Sequence, residues 1–450
     1  MGERLKAAAF MTISLSVALL CALFNLTMEQ IIAVTIFSSM IAATLLFWRF
    51  RLAIGFLGLA LLFAFKVIDV EHFIKYAGLD VIVFLIGTMI IIGYLEERGF
   101  FGHMLEKIMG LARGSPLRAF YLLMIASFIM SALVNEVTSI LFITALVLRI
   151  AGLSGLNPVP LMIMTVFATN IGSSATVVGN PIGVMIALRG GLTFIDFLWW
   201  ASPVAITVLL ITMFFCIKYY RSYIESIKVA TAHTGESERE EGHLLNWLIF
   251  GGTIGGLILH GPIESLLGLK KGTMLIGTAL LFAAIVLLIA RGRAREIIER
   301  HVDWWTLSFF LVLFASVGTL KYVGITKLIA TGFMEMGFRG IGLYVIFTYL
   351  SGFMTALMDN ILAVATFIPV VQELGAAGID VAPYWWALLF SGTYMGNLTP
   401  IGSTANIVAI GIVERRHRIS FKEWLKIGVP VSLITVAAAI MIMILRTNML

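Results

Sequence analysis

Residues 392–412 read GTYMGNLTPIGSTANIVAIGI. The stretch is apolar and long enough to cross a bilayer, yet its middle carries Asn397, Thr399, Pro400, Gly402, Ser403, Thr404 and Asn406. Lipid offers no partner for polar groups at membrane depth, so this composition predicts a helix that breaks there and turns its freed carbonyls and side chains onto a cavity. The same pattern recurs at residues 170–181, NIGSSATVVGNP. Two broken spans are therefore expected, over residues 158–188 and 384–413.

Composition sets the class. With 60% hydrophobic and 12% charged residues and a mean hydropathy of +1.02, the chain is excluded from the soluble globular proteins. Apolar runs of about 18 residues or more recur along it, each matched to a hydrocarbon core about 30 Å thick. The fold class is all-α and polytopic. The first run, residues 7–26, follows Arg4 and Lys6 but lacks a small-residue cleavage site, and another span follows at once, so it is read as a retained helix and not a signal peptide. Cys21 and Cys216 lie far apart in apolar runs and read as packing residues, neither a disulfide nor a metal site.

The polar stretch at residues 221–244 reads as a solvated linker between a first half, residues 1–220, and a second, residues 245–450. The halves resemble each other. FLIGTMIIIGYLEERGFFGHMLEKI from Phe84 aligns with FFLVLFASVGTLKYVGITKLIATGF from Phe309, which pairs Gly93 with Gly318 and Gly99 with Gly324 at an offset of 225. Val134-Asn135-Glu136-Val137 pairs with Met358-Asp359-Asn360-Ile361 at 224, and Thr176 and Gly179 with Thr399 and Gly402 at 223. Duplication of this kind is a feature of transporter folds, here with one extra N-terminal helix.

Residues 118–151 carry Asn135 to Thr138 at their centre and Arg118 and Arg149 near their ends. A straight helix of that length would measure about 50 Å, too long for one span, and two arms of about 16 residues are too short for two. A re-entrant hairpin fits, with residues 340–375 as its counterpart; two short tilted spans per segment are the alternative. Each half then crosses an odd number of times once the extra helix is set aside, giving an inverted repeat of about 11 spans. With the N-terminus in the cytoplasm, 22 of the 31 basic residues fall inside, Arg239, Arg415 and Arg416 among them. This orientation puts the linker inside and the C-terminus outside a plasma membrane, and the net charge of +6 needs no nucleic-acid partner.

Acidic groups inside apolar segments cost about 2.5 to 3.5 kcal/mol each on insertion scales. Glu136 and Asp359 sit deep, one at each hairpin tip; Glu96, Glu97, Asp196, Asp303, Glu373 and Glu414 lie at span ends, where solvation explains them. Around the two deep carboxyls the hairpins and breaks supply oxygen donors: Asn135, Thr138, Asn170, Ser173, Ser174, Thr176 and Asn180 with Glu136, and Asn360, Asn397, Thr399, Ser403, Thr404 and Asn406 with Asp359. Oxygen donors without Cys or His suit a hard cation such as sodium, or a proton on the carboxylate itself. No other cofactor is called for.

MDNILAVATFIPVVQEL and WWALLFSGTYMGNLTPIGSTANIVAIGIVE resemble the arsenite-permease and sodium/proton-antiporter family of the ion transporter superfamily, to which the divalent anion/sodium symporters are more distantly similar. The resemblance spans both halves and is most specific over residues 134–187 and 358–414. It implies a homodimeric elevator, in which scaffold helices near residues 32–65 and 273–289 make the dimer and a part containing hairpins and breaks slides across the membrane. It implies a site at the hairpin tips and at residues 172–180 and 397–406. The Ser-Asn-Thr tips of the dicarboxylate symporters are absent, and the first tip reads Asn-Glu where the second reads Asp-Asn.

The expected function is secondary active transport of a small inorganic ion or oxyacid, coupled to protons or sodium, as in arsenite efflux or sodium/proton antiport. A passive channel and a sodium-coupled organic anion symporter are the alternatives. There is no His-Glu-x-x-His and no Gly-x-Ser-x-Gly, so an enzyme is not expected. The partners are the transported solute, the coupling ion, lipid and a second copy of the chain.

Overall fold

A computed structural model describes residues 3–24, 26–228, 243–414 and 417–447. Of the expected linker, residues 229–242 lie outside the described set, as do Arg239, Arg415 and Arg416; residues 221–225 belong to a helix. The first half contains α1 (Glu3–Leu23), α2 (Met28–Leu46), α3 (Arg51–Ala64), α4 (Val70–Tyr76), α5 (Leu79–Glu97), α6 (Phe100–Gly110), α7 (Pro116–Leu133), α8 (Glu136–Ser154), α9 (Pro158–Gly172), α10 (Pro181–Gly190), α11 (Phe194–Asp196) and α12 (Ser202–Glu225). The second contains α13 (His243–Leu267), α14 (Thr273–Ala290), α15 (Ala294–His301), α16 (Trp304–Tyr322), α17 (Ile325–Glu335), α18 (Ile341–Leu357), α19 (Asn360–Ala376), α20 (Ala382–Tyr394), α21 (Thr404–Val413) and α22 (Phe421–Arg446). Among the described residues there is no strand, and ten helices are long and apolar enough to cross a membrane.

The duplication is visible element by element. Leu79 and Glu97, the ends of α5, correspond to Trp304 and Tyr322, the ends of α16, and α6 and α17 match end for end in the same register. Gly99 and Gly324 start α6 and α17 at φ 69° and 81°, a left-handed backbone that glycine adopts without a Cβ clash. The first residues of α7 and α18, Pro116 and Ile341, keep that register, and both ends of α10 coincide with both ends of α21 in the slightly shifted register of Gly179 and Gly402. Hairpin arms are longer than the sequence suggests: α7 and α8 have 18 and 19 residues, α18 and α19 have 17 each. The extra length in the first pair comes from caps beyond Arg118 and Arg149. Ser115 accepts from the Arg118 N–H with Pro116 in the first turn, and Gly155 ends α8 at φ 66°.

The chain forms two compact units, each of which draws on both halves. One comprises Met1–Val83, Asp303–Arg339 and Ala365–Val381; the other comprises Phe84–Val302, Gly340–Val364 and Ala382–Leu450. In the first unit α16 packs on α3 and α4. A Cβ placed on Gly318 would lie 2.2 Å from Tyr76 Cβ, and one on Gly55 would lie 3.2 Å from Val312. In the second unit α5 packs in the same way on α14 and α15: a Cβ on Gly93 would lie 2.3 Å from His301 Cβ, and one on Gly87 would lie 3.0 Å from the Ala279 backbone. These are the same contacts with the halves exchanged, since Gly93 and Tyr76 correspond to Gly318 and His301, Gly87 to Val312 and, within one position, Gly55 to Ala279. An inverted repeat whose halves trade partners produces this reciprocity.

Close approach of helices at Gly93 and Gly318 yields the first prediction. Gly93→Val and Gly318→Val should each destabilise the protein by about 1–3 kcal/mol or more through overpacking. Gly102→Ala, in α6 with nothing within 4 Å of an added Cβ, should be neutral or stabilising by up to about 1 kcal/mol. Thermal melting of the purified protein in detergent checks the ordering, and unchanged melting in both valine variants would contradict the packing.

Candidate functional site

All fifteen candidate residues lie in the second unit, on two helix–turn–helix tips and two helix breaks. Each break is built from the same backbone crossing. Helix α9 stops at Gly172, and the chain is non-helical until Asn180 caps α10 by accepting from the Gly183 N–H at 2.7 Å, with Pro181 following. Helix α20 stops at Tyr394, passes through one 3-10 turn, and restarts when Ser403 caps α21. A Cβ on Gly179 would meet the Ser173 carbonyl oxygen at 2.3 Å, and one on Gly402 would meet the Gly396 oxygen at 2.6 Å. Only glycine permits either loop to cross itself.

Each break is also fastened to its own hairpin. The Thr176 hydroxyl donates to the Ala132 carbonyl, one residue from the end of α7. The Thr399 hydroxyl donates to the Ala356 carbonyl at 2.6 Å, one residue from the end of α18. Close packing beside these bonds uses a complementary exchange. In the first half Gly172 of the break lies on the Phe128 backbone; in the second, Gly352 of the hairpin receives Met395 of the break, 2.6 Å from a placed Cβ. The small residue has changed sides while the contact persists.

The two breaks are joined through Asn170. Its Nδ2 donates to Asn397 Oδ1 at 2.7 Å and Asn406 Oδ1 at 2.8 Å, while its Oδ1 accepts from the Ser403 hydroxyl at 2.9 Å. Asn406 in turn donates to the carbonyls of Gly396 and Thr399, which the break leaves without helical partners. Asn180 donates to the Ser173 hydroxyl at 2.7 Å. Two aromatic side chains support this network although nothing in the sequence pointed to them: Ser174 and Tyr394 share a 3.0 Å hydroxyl contact, and the buried Trp424 indole donates to the Asn397 carbonyl at 2.9 Å.

The two carboxyls are treated differently. Asp359 Oδ1 accepts from the Ile361 N–H at 2.9 Å, and its Oδ2 accepts from the Thr404 hydroxyl at 2.7 Å. Glu136, the first residue of α8, is 1% exposed, and neither carboxyl oxygen has a hydrogen-bond partner. Asn360 and Ser173 face it, and Asp359 lies within electrostatic range. The repeat explains the contrast. Glu136 corresponds to Asn360 and Asn135 to Asp359, so acid and amide are exchanged between tips, and the counterpart of Thr404 is Pro181, which has no hydroxyl. Asn135 takes the capping role, accepting from the Thr138 N–H at 2.9 Å, with a strained backbone at φ 145° and ψ 162°. Such a conformation costs a non-glycine residue about 1–3 kcal/mol.

Other buried polar atoms on the tips, breaks and hairpin arms also lack partners: the Asn360 and Asn397 amide nitrogens and the hydroxyls of Ser131 and Ser139. Ser131 and Ser139 are additions to the candidate set. Their signal in the sequence is position alone, on the arms flanking the first tip. A third buried acid, Glu264, has a structural role, since its two oxygens accept the Gly272 and Met274 N–H groups at the start of α14. Among the described residues, no group of three or more His, Cys, Asp or Glu is arranged to hold a metal ion.

Residues 33–391 match the citrate transporter family. The chain belongs to that family. An uncharacterized transporter of Mycobacterium bovis is 33% identical over 383 residues, covering 82% of this chain and 86% of its own. The P protein of Homo sapiens is 25% identical over 446 residues, covering 82% of this chain and 53% of that protein. The crystal structure of the Alcanivorax borkumensis YdaH transporter shares the fold, with a TM-score of 0.61 at 16% identity, covering 86% of this chain and 88% of that one.

The protein is thus an integral membrane transporter, and the chemistry at its centre is that of amides, hydroxyls and two carboxyls. Oxygen donors of this kind fit a hard cation or a proton. The Asn360 amide beside the Glu136 carboxyl also provides for a guest that both accepts and donates hydrogen bonds.

Asn170→Asp should disrupt the joint between the breaks, because it replaces two donated hydrogen bonds with oxygens facing the oxygens of Asn397 and Asn406. Each unsatisfied buried group costs about 1–3 kcal/mol, so a large fall in melting temperature is expected. Thr399→Val, which removes one donor and keeps the shape, should cost about 1 kcal/mol. A melting temperature for Asn170→Asp at or above that of Thr399→Val would refute this ranking.

Proposed function

We propose that the protein is a cation-coupled secondary transporter in which Glu136 carries the coupling proton or sodium ion and Asp359 holds the facing tip in register. The observation that supports this is the orphaned Glu136 carboxyl beside the well-bonded Asp359. A carboxylate buried with no well-formed hydrogen bond persists in a low-dielectric interior only with a proton or a metal cation on it. Such a group releases its charge partner when the surroundings change during a transport cycle, which is what coupling requires.

The cargo best suited to this site is a small inorganic ion or oxyacid, moved by sodium/proton antiport or by proton- or sodium-coupled efflux of arsenite or a similar oxyacid. Neutral arsenous acid both donates and accepts hydrogen bonds and brings no charge against the carboxyls. Family membership favours a second reading, sodium-coupled symport of an organic anion such as citrate. A polycarboxylate would have to enter with cations to share the site with Glu136 and Asp359. A passive channel differs from both in needing no coupled ion.

The same reading extends to a homodimeric elevator with the N-terminus and residues 229–242 in the cytoplasm and the C-terminus outside. The bonds tying α7, α18 and both breaks together favour their moving as one body. Exposed apolar side chains on α3 (Phe56, Leu57) and on the corresponding α14 (Leu281, Leu288) supply surface for a dimer contact.

Flux in liposomes under an imposed proton gradient, with sodium, lithium, arsenite and citrate supplied in turn, tests the proposal. One of these should move in a gradient-dependent manner. Glu136→Gln should abolish coupled flux while leaving melting unchanged or raised by about 2–4 °C, as burial of a neutral amide replaces that of an acid. Asp359→Asn should also lose coupled flux with folding nearly intact. Undiminished gradient-driven flux in Glu136→Gln would remove that residue from the mechanism, and flux in every variant without a coupled ion would indicate a channel.

A further inference from the structure

Helix α12 bends near its end. Tyr220, at φ −113° and ψ 27°, leaves helical geometry and swings the last turn out of line. That turn is anchored: the Tyr223 hydroxyl donates to the Asn157 carbonyl at 2.6 Å, the Lys228 N–H donates to the Ser154 hydroxyl at 2.8 Å, and Ile224 and Ile227 are buried. Between this overhang and the first turns of α7 lies a cavity of about 770 Å³, within the roughly 300–1,000 Å³ of small-molecule sites.

The cavity is amphiphilic. Leu117, Tyr121, Leu210 and Phe214 wall one part of it and are exposed, while Lys218 and Arg221 line its other end. From Leu210 to Lys218 the wall runs about 12 Å along α12. Arg221 meets Glu225 at 3.0 Å, but both side chains are more than half exposed. A pair of that kind contributes little and leaves further guanidinium N–H groups for an anion. Walls of apolar side chains on a membrane helix, ending in two cations one turn apart, are complementary to a molecule with an acyl chain and an anionic head.

We infer that this cavity binds an anionic phospholipid, its phosphate held by Lys218 and Arg221 and one acyl chain lying along Leu117, Tyr121, Leu210 and Phe214. The assignment is independent of what Glu136 carries. It also has a route to the transport machinery, because the Ser202 hydroxyl at the other end of α12 donates to the Ala175 carbonyl in the first break at 2.7 Å.

Native mass spectrometry of the purified full-length protein tests the site, using phosphatidylglycerol and phosphatidylcholine of identical chains and glycerol 3-phosphate as a headgroup without a chain. One retained phosphatidylglycerol adduct is expected, bound about tenfold or more tightly than phosphatidylcholine and not displaced by glycerol phosphate. Lys218→Gln/Arg221→Gln should lose that preference with unchanged melting. Leu210→Trp, which narrows the apolar wall and keeps both cations, should weaken binding of both lipids. Equal binding of the two lipids to the unaltered protein, or a full adduct in the double variant, would overturn the proposal. Residues 229–242 carry Glu236, Glu238, Glu240 and Glu241; an adduct that appears only when these four are changed to Gln would assign the cations to that segment and overturn it as well.

Discussion

The candidate site depends on one side chain that spends three of its four hydrogen-bonding positions across the duplication. Asn170 gives both amide hydrogens to the second break and takes one from Ser403, so two loops that belong to different halves are held against each other. A break exposes carbonyls that a continuous helix would have used, and inside a membrane protein those groups must find partners within the protein. Asn406 supplies them for the second break. These bonds hold the two breaks together, which is a condition for placing the two carboxyls reproducibly.

Departures from symmetry define the chemistry. The halves agree wherever backbone must cross backbone, at Gly179 and Gly402, and wherever a break must be tied to a hairpin, at Thr176 and Thr399. They disagree at the tips. Exchange of acid and amide between the tip positions, together with proline in place of Thr404, leaves one acid fully engaged and the other unsatisfied. On the proposed mechanism these unequal environments let Asp359 hold structure while Glu136 changes occupancy.

Much of this was legible in the sequence, for reasons that can be assigned. Glycine, proline and asparagine inside apolar segments have few uses, so the breaks and tips announced themselves, and the steady offset between halves located each counterpart. Hairpin arm lengths are less readable because Ser115 and Gly155 carry the helices beyond Arg118 and Arg149. Tyr394, Trp424, Ser131 and Ser139 were not readable at all. Aromatic and hydroxyl residues are common in membrane helices, and only the fold reveals that Trp424 faces a break. Glu264 gives no signal in the sequence because its two partners are backbone amides on the far side of a turn, at Gly272 and Met274, a cap that leaves no mark in composition.

The exchanged packing of the halves bears on how the chain is made. Helix α5 rests on α14 and α15 through Gly87 and Gly93, and those helices leave the ribosome only after the rest of the first half and the linker have been made. The first half therefore emerges with glycine-lined grooves that nothing in its own sequence can fill. During synthesis these grooves must be shielded by lipid or by the insertion machinery, and final packing waits on the second half. Contacts so distant along the chain slow the last step of assembly. They also mean that a chain truncated between the halves lacks the α14 and α15 surface on which Gly87 and Gly93 of α5 pack.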